Sequence, residues 1–91
     1  MQQVSVHYYI SGDVQGVYYR SFSKSCARQF NLVGWVRNLE DGRVEVLVSG
    51  DTKSLQDFEQ CLRKGPPSAK VTSIESTRVP FEYFEHFSII G

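Results

Sequence analysis

An α+β sandwich of the split βαβ, or ferredoxin-like, type is predicted by the order of hydrophobic periodicities along the chain. Alternating and helical patterns follow one another as strand, helix, strand, strand, helix, strand, with a short terminal strand after them. A hairpin signal at Asp41-Gly42 joins two β-α-β halves, and 91 residues suffice for one core but not for two cores and a linker. A mostly antiparallel sheet carrying both helices on one face satisfies this order. Residues 1–91 are therefore expected to form a single domain.

Residues 4–12 alternate, with Val4, Val6, Tyr8 and Ile10 on one face and Ser5, His7, Tyr9 and Ser11 on the other, the pattern of a half-buried strand. A loop follows, Asp13-Val14-Gln15-Gly16-Val17. From about Ser21 the apolar spacing turns helical through Phe22, Cys26, Ala27 and Phe30, and Asn31 supplies a left-handed stop. A second strand is predicted over 34–39 and a third over 43–49, with Val44, Val46 and Val48 sharing a face. A two-residue turn at Asp41-Gly42 pairs Leu39 with Val44 and Arg37 with Val46, which puts Arg37 on the face of Trp35, Val44 and Val48. Either Arg37 reaches past the core edge or the turn is longer, and that choice decides where Asn38 points. The second helix starts near Asp51-Thr52, carries Leu55, Phe58, Cys61 and Leu62 on its apolar stripe, and ends at Gly65-Pro66-Pro67. A fourth strand fits 70–79, closed by Pro80, and residues 84–90 form the last short one.

Ten basic and ten acidic residues cancel, which argues against a nucleic-acid binder held by a broad basic surface. An RNA-recognition reading of the same fold also wants an aromatic ring on the third strand, and Arg43 to Val48 offers none. No apolar run is long enough to span a membrane, and the N-terminus lacks a signal-peptide pattern, so a cytoplasmic protein is expected. Cys26 and Cys61, like His7 and His86, stand too far apart in sequence to suggest a metal site, and no cofactor is expected. Both cysteines fall on apolar helix stripes. The plain reading is two buried thiols, and a disulfide between the helices is the alternative.

The stretch from Gly12 to Arg20 lies between a strand and a helix, where successive N–H groups can turn inward as an anion nest backed by the positive helix end. Glycine permits close approach of the backbone to a ligand, and Arg20 adds a planar charged fork that matches two phosphate oxygens. The loop is not a mononucleotide P-loop, and no Cys, Asp or His lies between Val14 and Arg20 to act as a nucleophile. Asn38 is the other candidate, an asparagine in a strand, where that residue is disfavoured unless its amide has a task.

Gly12-x-Val14-Gln15-Gly16-Val17-x-Tyr19-Arg20 resembles the first signature of the acylphosphatase family, and Gly34-Trp35-Val36-x-Asn38-x-x-Asp41-Gly42-x-Val44-Glu45 resembles its second. Gly65-Pro66-Pro67-Ser68-Ala69-x-Val71 is similar to a third, more structural segment, so the resemblance spans essentially the whole chain. The sequence departs from the commonest pattern at Tyr18, Tyr19, Ser21-Phe22-Ser23 and Leu39. The resemblance implies hydrolysis of a carboxylic–phosphoric anhydride to carboxylate and inorganic phosphate without a metal. It implies that Arg20 and the loop amides of Gln15, Gly16, Val17, Tyr18 and Tyr19 bind the phosphoryl group, while Asn38 holds the attacking water. The expected partner is a small-molecule acyl phosphate, and a monomer is expected. A non-catalytic module that only binds phosphate is the alternative.

Overall fold

In the computed structural model, which describes residues 2–91, the elements run β1 (Gln3–Asp13), α1 (Tyr19–Gln29), β2 (Val33–Asn38), β3 (Val44–Asp51), α2 (Thr52–Lys64), β4 (Lys70–Val79) and β5 (Phe87–Ile89). They form a five-stranded sheet in the order β4-β1-β3-β2-β5, a ferredoxin-like α+β sandwich. All neighbouring strands are antiparallel except β2 and β5. Helix α1 lies over β2 and β5, and α2 over β3 and β4. Alternation decides which side chains the helices cover: Tyr8, Ile10, Val36, Val44, Val46 and Val48 pack beneath Ala27, Leu55, Phe58 and Leu62. Each fully buried Leu or Phe of this kind contributes about 1.5–3 kcal/mol relative to an exposed one.

Local chemistry sets the ends of the helices. Asn31 adopts φ 56° after α1, the left-handed stop its position suggested. Asp51 caps α2 by accepting a hydrogen bond from the Ser54 N–H at 3.0 Å. Helix α1 begins at Tyr19, two residues before the apolar spacing becomes helical, because the loop after β1 leads directly into its first turn through the left-handed Tyr18.

The β2–β3 hairpin takes the longer of the two turns that the sequence leaves open. Leu39 N–H donates to the Arg43 carbonyl at 2.8 Å and Gly42 N–H to the Leu39 carbonyl at 3.2 Å, so Glu40 joins Asp41 and Gly42 in the loop. A type I turn followed by a left-handed glycine, here φ 96°, gives this geometry. Asn38 therefore pairs with Val44 and Arg37 with Glu45. Arg37 and Trp35 leave the core side, and Asn38 faces the helices in line with Val36. Close packing of the two strands also explains Gly34: with φ 149°, a Cβ there would lie 1.9 Å from the Leu47 carbonyl oxygen.

The cysteines correct the plain reading. Cys26 of α1 and Cys61 of α2 are joined in a disulfide, their Cα atoms 6.3 Å apart. The stripes that bury each residue also bring the two helices together over the sheet.

The face without helices is polar but internally paired. The Glu45 carboxylate accepts from Arg37 Nε and lies 2.6 Å from His7 Nε2, while the Arg37 guanidinium covers the Trp35 ring at 5.5 Å. Ser49 Oγ donates to the Glu82 carbonyl at 2.7 Å and Glu82 N–H donates to Ser5 Oγ at 2.9 Å, tying the segment after β4 across this face.

Candidate active site

The loop after β1 owes its shape to alternating backbone handedness. Gly16 has φ 74° and Tyr18 φ 63°, and left-handed residues at every second position turn the intervening N–H groups toward one concave side. Tyr18 is also the N-cap of α1. No side chain caps the helix and no acidic residue lies in its first turn, so the N–H groups there stay open to an anion.

Three residues hold the loop in place. Val14 is buried at its base. Gln15 Nε2 donates to the carbonyls of Leu39, at 2.7 Å, and Arg43, at 2.9 Å, fastening the loop to the neck of the β2–β3 turn. Tyr19, the first residue of α1, is buried and its hydroxyl donates to the Leu62 carbonyl at 2.6 Å. Burial pushes the Tyr19 phenol well above its ordinary pKa, so it stays protonated and keeps donating.

A cavity of about 370 Å3 opens between this loop and the end of β2, lined by Val14, Gly16, Tyr18, Tyr19, Arg20, Ser21, Asn38 and Ile89. Arg20 and Asn38 thus meet across it. Gln15 and Val17 lie outside the lining: the Gln15 side chain is spent on the β2–β3 turn, and Val17 packs against the core. Tyr19 contributes backbone here, since its ring points into the interior. Asn38 Oδ1 is buried and has no hydrogen-bond partner among the described residues. An orphaned buried acceptor costs about 1–3 kcal/mol.

The C-terminal segment completes the arrangement. Ile90 N–H donates to the Val36 carbonyl at 3.0 Å, continuing β5 alongside β2, and the Gly91 backbone oxygen then accepts from both Arg20 Nη1 and Asn38 N–H. One backbone oxygen fixes the guanidinium relative to the asparagine. The sequence reading missed Ile89 and Gly91. Only the alternation of the last strand marked that stretch, and nothing in it revealed which strand it would join.

One arginine beside open helix-terminal amides suits a small anion of the phosphate type, and the unpaired Asn38 amide oxygen across from them can accept a hydrogen bond from a donor such as water. The sequence profile of the acylphosphatases matches residues 6–89. Acylphosphatases of Alkalilimnicola ehrlichii and Colwellia psychrerythraea are 44% and 45% identical to this chain, each alignment covering 94% of it and 97% of the relative. The crystal structure of acylphosphatase from Bacillus subtilis superposes with a TM-score of 0.94 at 38% identity, over 97% of this chain and 99% of that one. The chain belongs to the acylphosphatase family, enzymes that hydrolyse acyl phosphates.

Proposed function

We propose that this enzyme cleaves acyl phosphates with Arg20 and the amides of residues 15–19 binding the phosphoryl group and Asn38 orienting the water. The observation that carries this reading is that Asn38, whose Oδ1 is buried without a partner among the described residues, lines the same cavity as Arg20. A water in the cavity donates one O–H to Oδ1, which satisfies that oxygen and aims the water's lone pair at phosphorus. The P–O bond to the acyl group breaks as the new P–O bond forms, and the bridging oxygen leaves with its electron pair as a carboxylate. That leaving group is stable as an anion, so no strong general acid is needed. Phosphoryl transfer is loose, with charge spread over the equatorial oxygens, and the loop amides and Arg20 answer that charge. Asn38 is no base; the water's proton ends on a phosphate oxygen, giving dihydrogen phosphate from the acyl phosphate dianion.

The proposed reaction needs no metal or other cofactor. The cavity lining includes no carboxylate, imidazole or thiol, and its positive charge comes from Arg20 and backbone dipoles. Residues 1–91 act in this proposal as one domain and as a monomer, on a small-molecule acyl phosphate in the cytoplasm. No membrane or nucleic acid takes part.

Hydrolysis of benzoyl phosphate by the purified chain, with a chelator present, tests the reading. Arg20→Ala is expected to lose about 100-fold or more in kcat/KM together with inhibition by inorganic phosphate. Asn38→Ala is expected to lose a similar factor in kcat while phosphate inhibition persists. Full activity in Arg20→Ala, or wild-type activity abolished by the chelator, overturns the mechanism. Phosphate binding by a wild type that cannot hydrolyse would instead mark a binding module.

A further inference from the structure

We infer that Tyr18 and Ile89 form a subsite for the acyl group, one that favours acyl phosphates with a planar apolar acyl moiety. This rests on the reading of the phosphoryl site given above. Tyr18 stands at φ 63°, a conformation that suits glycine and is unfavourable for a bulky residue. Its ring does not offset that cost through packing: it is 84% exposed, and among the described residues it has no hydrogen-bond or stacking partner. The neighbouring Tyr19 is by contrast buried and hydrogen-bonded. Folding alone therefore gives no reason for an aromatic ring at position 18.

The cavity supplies one. Tyr18 lines it from the loop, and Ile89, 40% exposed, lines it from β5. Arg20 and the loop amides engage the phosphoryl end of the substrate, so the acyl end must leave through the mouth, past these two side chains. The other exposed residues of the lining, Gly16 and Ser21, are neutral. An aromatic acyl group gains stacking on the Tyr18 ring and contact with Ile89. An acetyl group is too small to span them, and an anionic acyl group meets no opposite charge there other than Arg20, which already serves the phosphoryl oxygens.

The experiment compares kcat/KM for benzoyl phosphate and acetyl phosphate in the wild type, Tyr18→Gly, Tyr18→Phe and Ile89→Ala. Both substrates present the same phosphoryl group, so any change in the loop amides falls on both and cancels in the ratio. The benzoyl-to-acetyl ratio is expected to drop roughly three- to tenfold in Tyr18→Gly. Ile89→Ala should lower it in the same direction, and Tyr18→Phe, which keeps the ring, should hold it at the wild-type value. Glycine suits the positive φ, so Tyr18→Gly is expected to fold. An unchanged ratio in Tyr18→Gly, or an equal loss in Tyr18→Phe, overturns the subsite while leaving the phosphoryl site standing. A wild type that hydrolyses neither compound overturns both.

Discussion

Glu45 is a carboxylate almost excluded from water on the side of the sheet away from the helices, and its neighbours decide its charge. Burial raises its pKa, but the bonds from Arg37 and His7 outweigh that and hold it below the usual carboxylate range. A depressed folded-state pKa stabilises the protein above the unfolded value and ceases to do so as pH falls through the folded value. Glu45→Gln is therefore expected to cost about 1–2 kcal/mol at pH 7. Denaturant melts of both proteins should show that difference shrinking steadily below pH 4.5, the ordinary value for this group. An equal cost at neutral and strongly acidic pH would assign the loss to packing. At this scale the sequence showed the two candidates, Arg20 and Asn38, because their residue types are unusual for their settings. It did not show the work of Gln15, whose side chain bonds to backbone carbonyls at the neck of a turn that lies 24 and 28 residues away. Backbone acceptors leave no mark on composition.

Among the elements, periodicity located every strand and both helices, since burial on one face is written into spacing. Two features that depend on how elements meet were not legible. Asp41-Gly42 marks a turn, yet whether Glu40 belongs to it depends on which register buries Val36 with Val44 and Val46. Likewise, Cys26 and Cys61 each lie on an apolar stripe, but the crossing of α1 over α2 decides that they bond. The disulfide closes a sequence separation of 35 residues, and the chain-entropy account assigns such a loop roughly 2–4 kcal/mol. Reduction is thus expected to lower the melting temperature by about 10–20 °C. Calorimetry with and without reductant checks this, with Cys26→Ala/Cys61→Ala as the permanently reduced reference. In any reducing compartment the enzyme would work from that lower margin. Coincident melting curves would show that helix packing alone holds α1 and α2.

Over the whole molecule the formal charges balance, so in the proposed mechanism anion capture falls to the cavity beside Arg20, whose parts come from distant segments. The loop after β1 supplies the amides, β2 supplies Asn38, and the residues after β5 fasten Arg20. A chain stopped after Ile90 keeps Ile89 and loses the Gly91 oxygen that Arg20 and Asn38 share. Its KM for benzoyl phosphate and its phosphate inhibition constant are expected to rise about tenfold, with kcat falling less. Unchanged constants in a truncated protein that still folds would show that Arg20 needs no such anchor. The overall architecture was legible because strand and helix order admits few topologies. The shared Gly91 oxygen was not, because it depends on a three-residue parallel strand finding β2.

That dependence has a counterpart in time. Synthesis delivers the anion loop and Asn38 early, but the segment that orients Arg20 is among the last of this fold to leave the ribosome. A nascent chain displaying the loop and hairpin holds the reactive groups without their fixed geometry. In the proposed mechanism, full affinity for the phosphoryl group is therefore expected only once residues 87–91 dock beside β2.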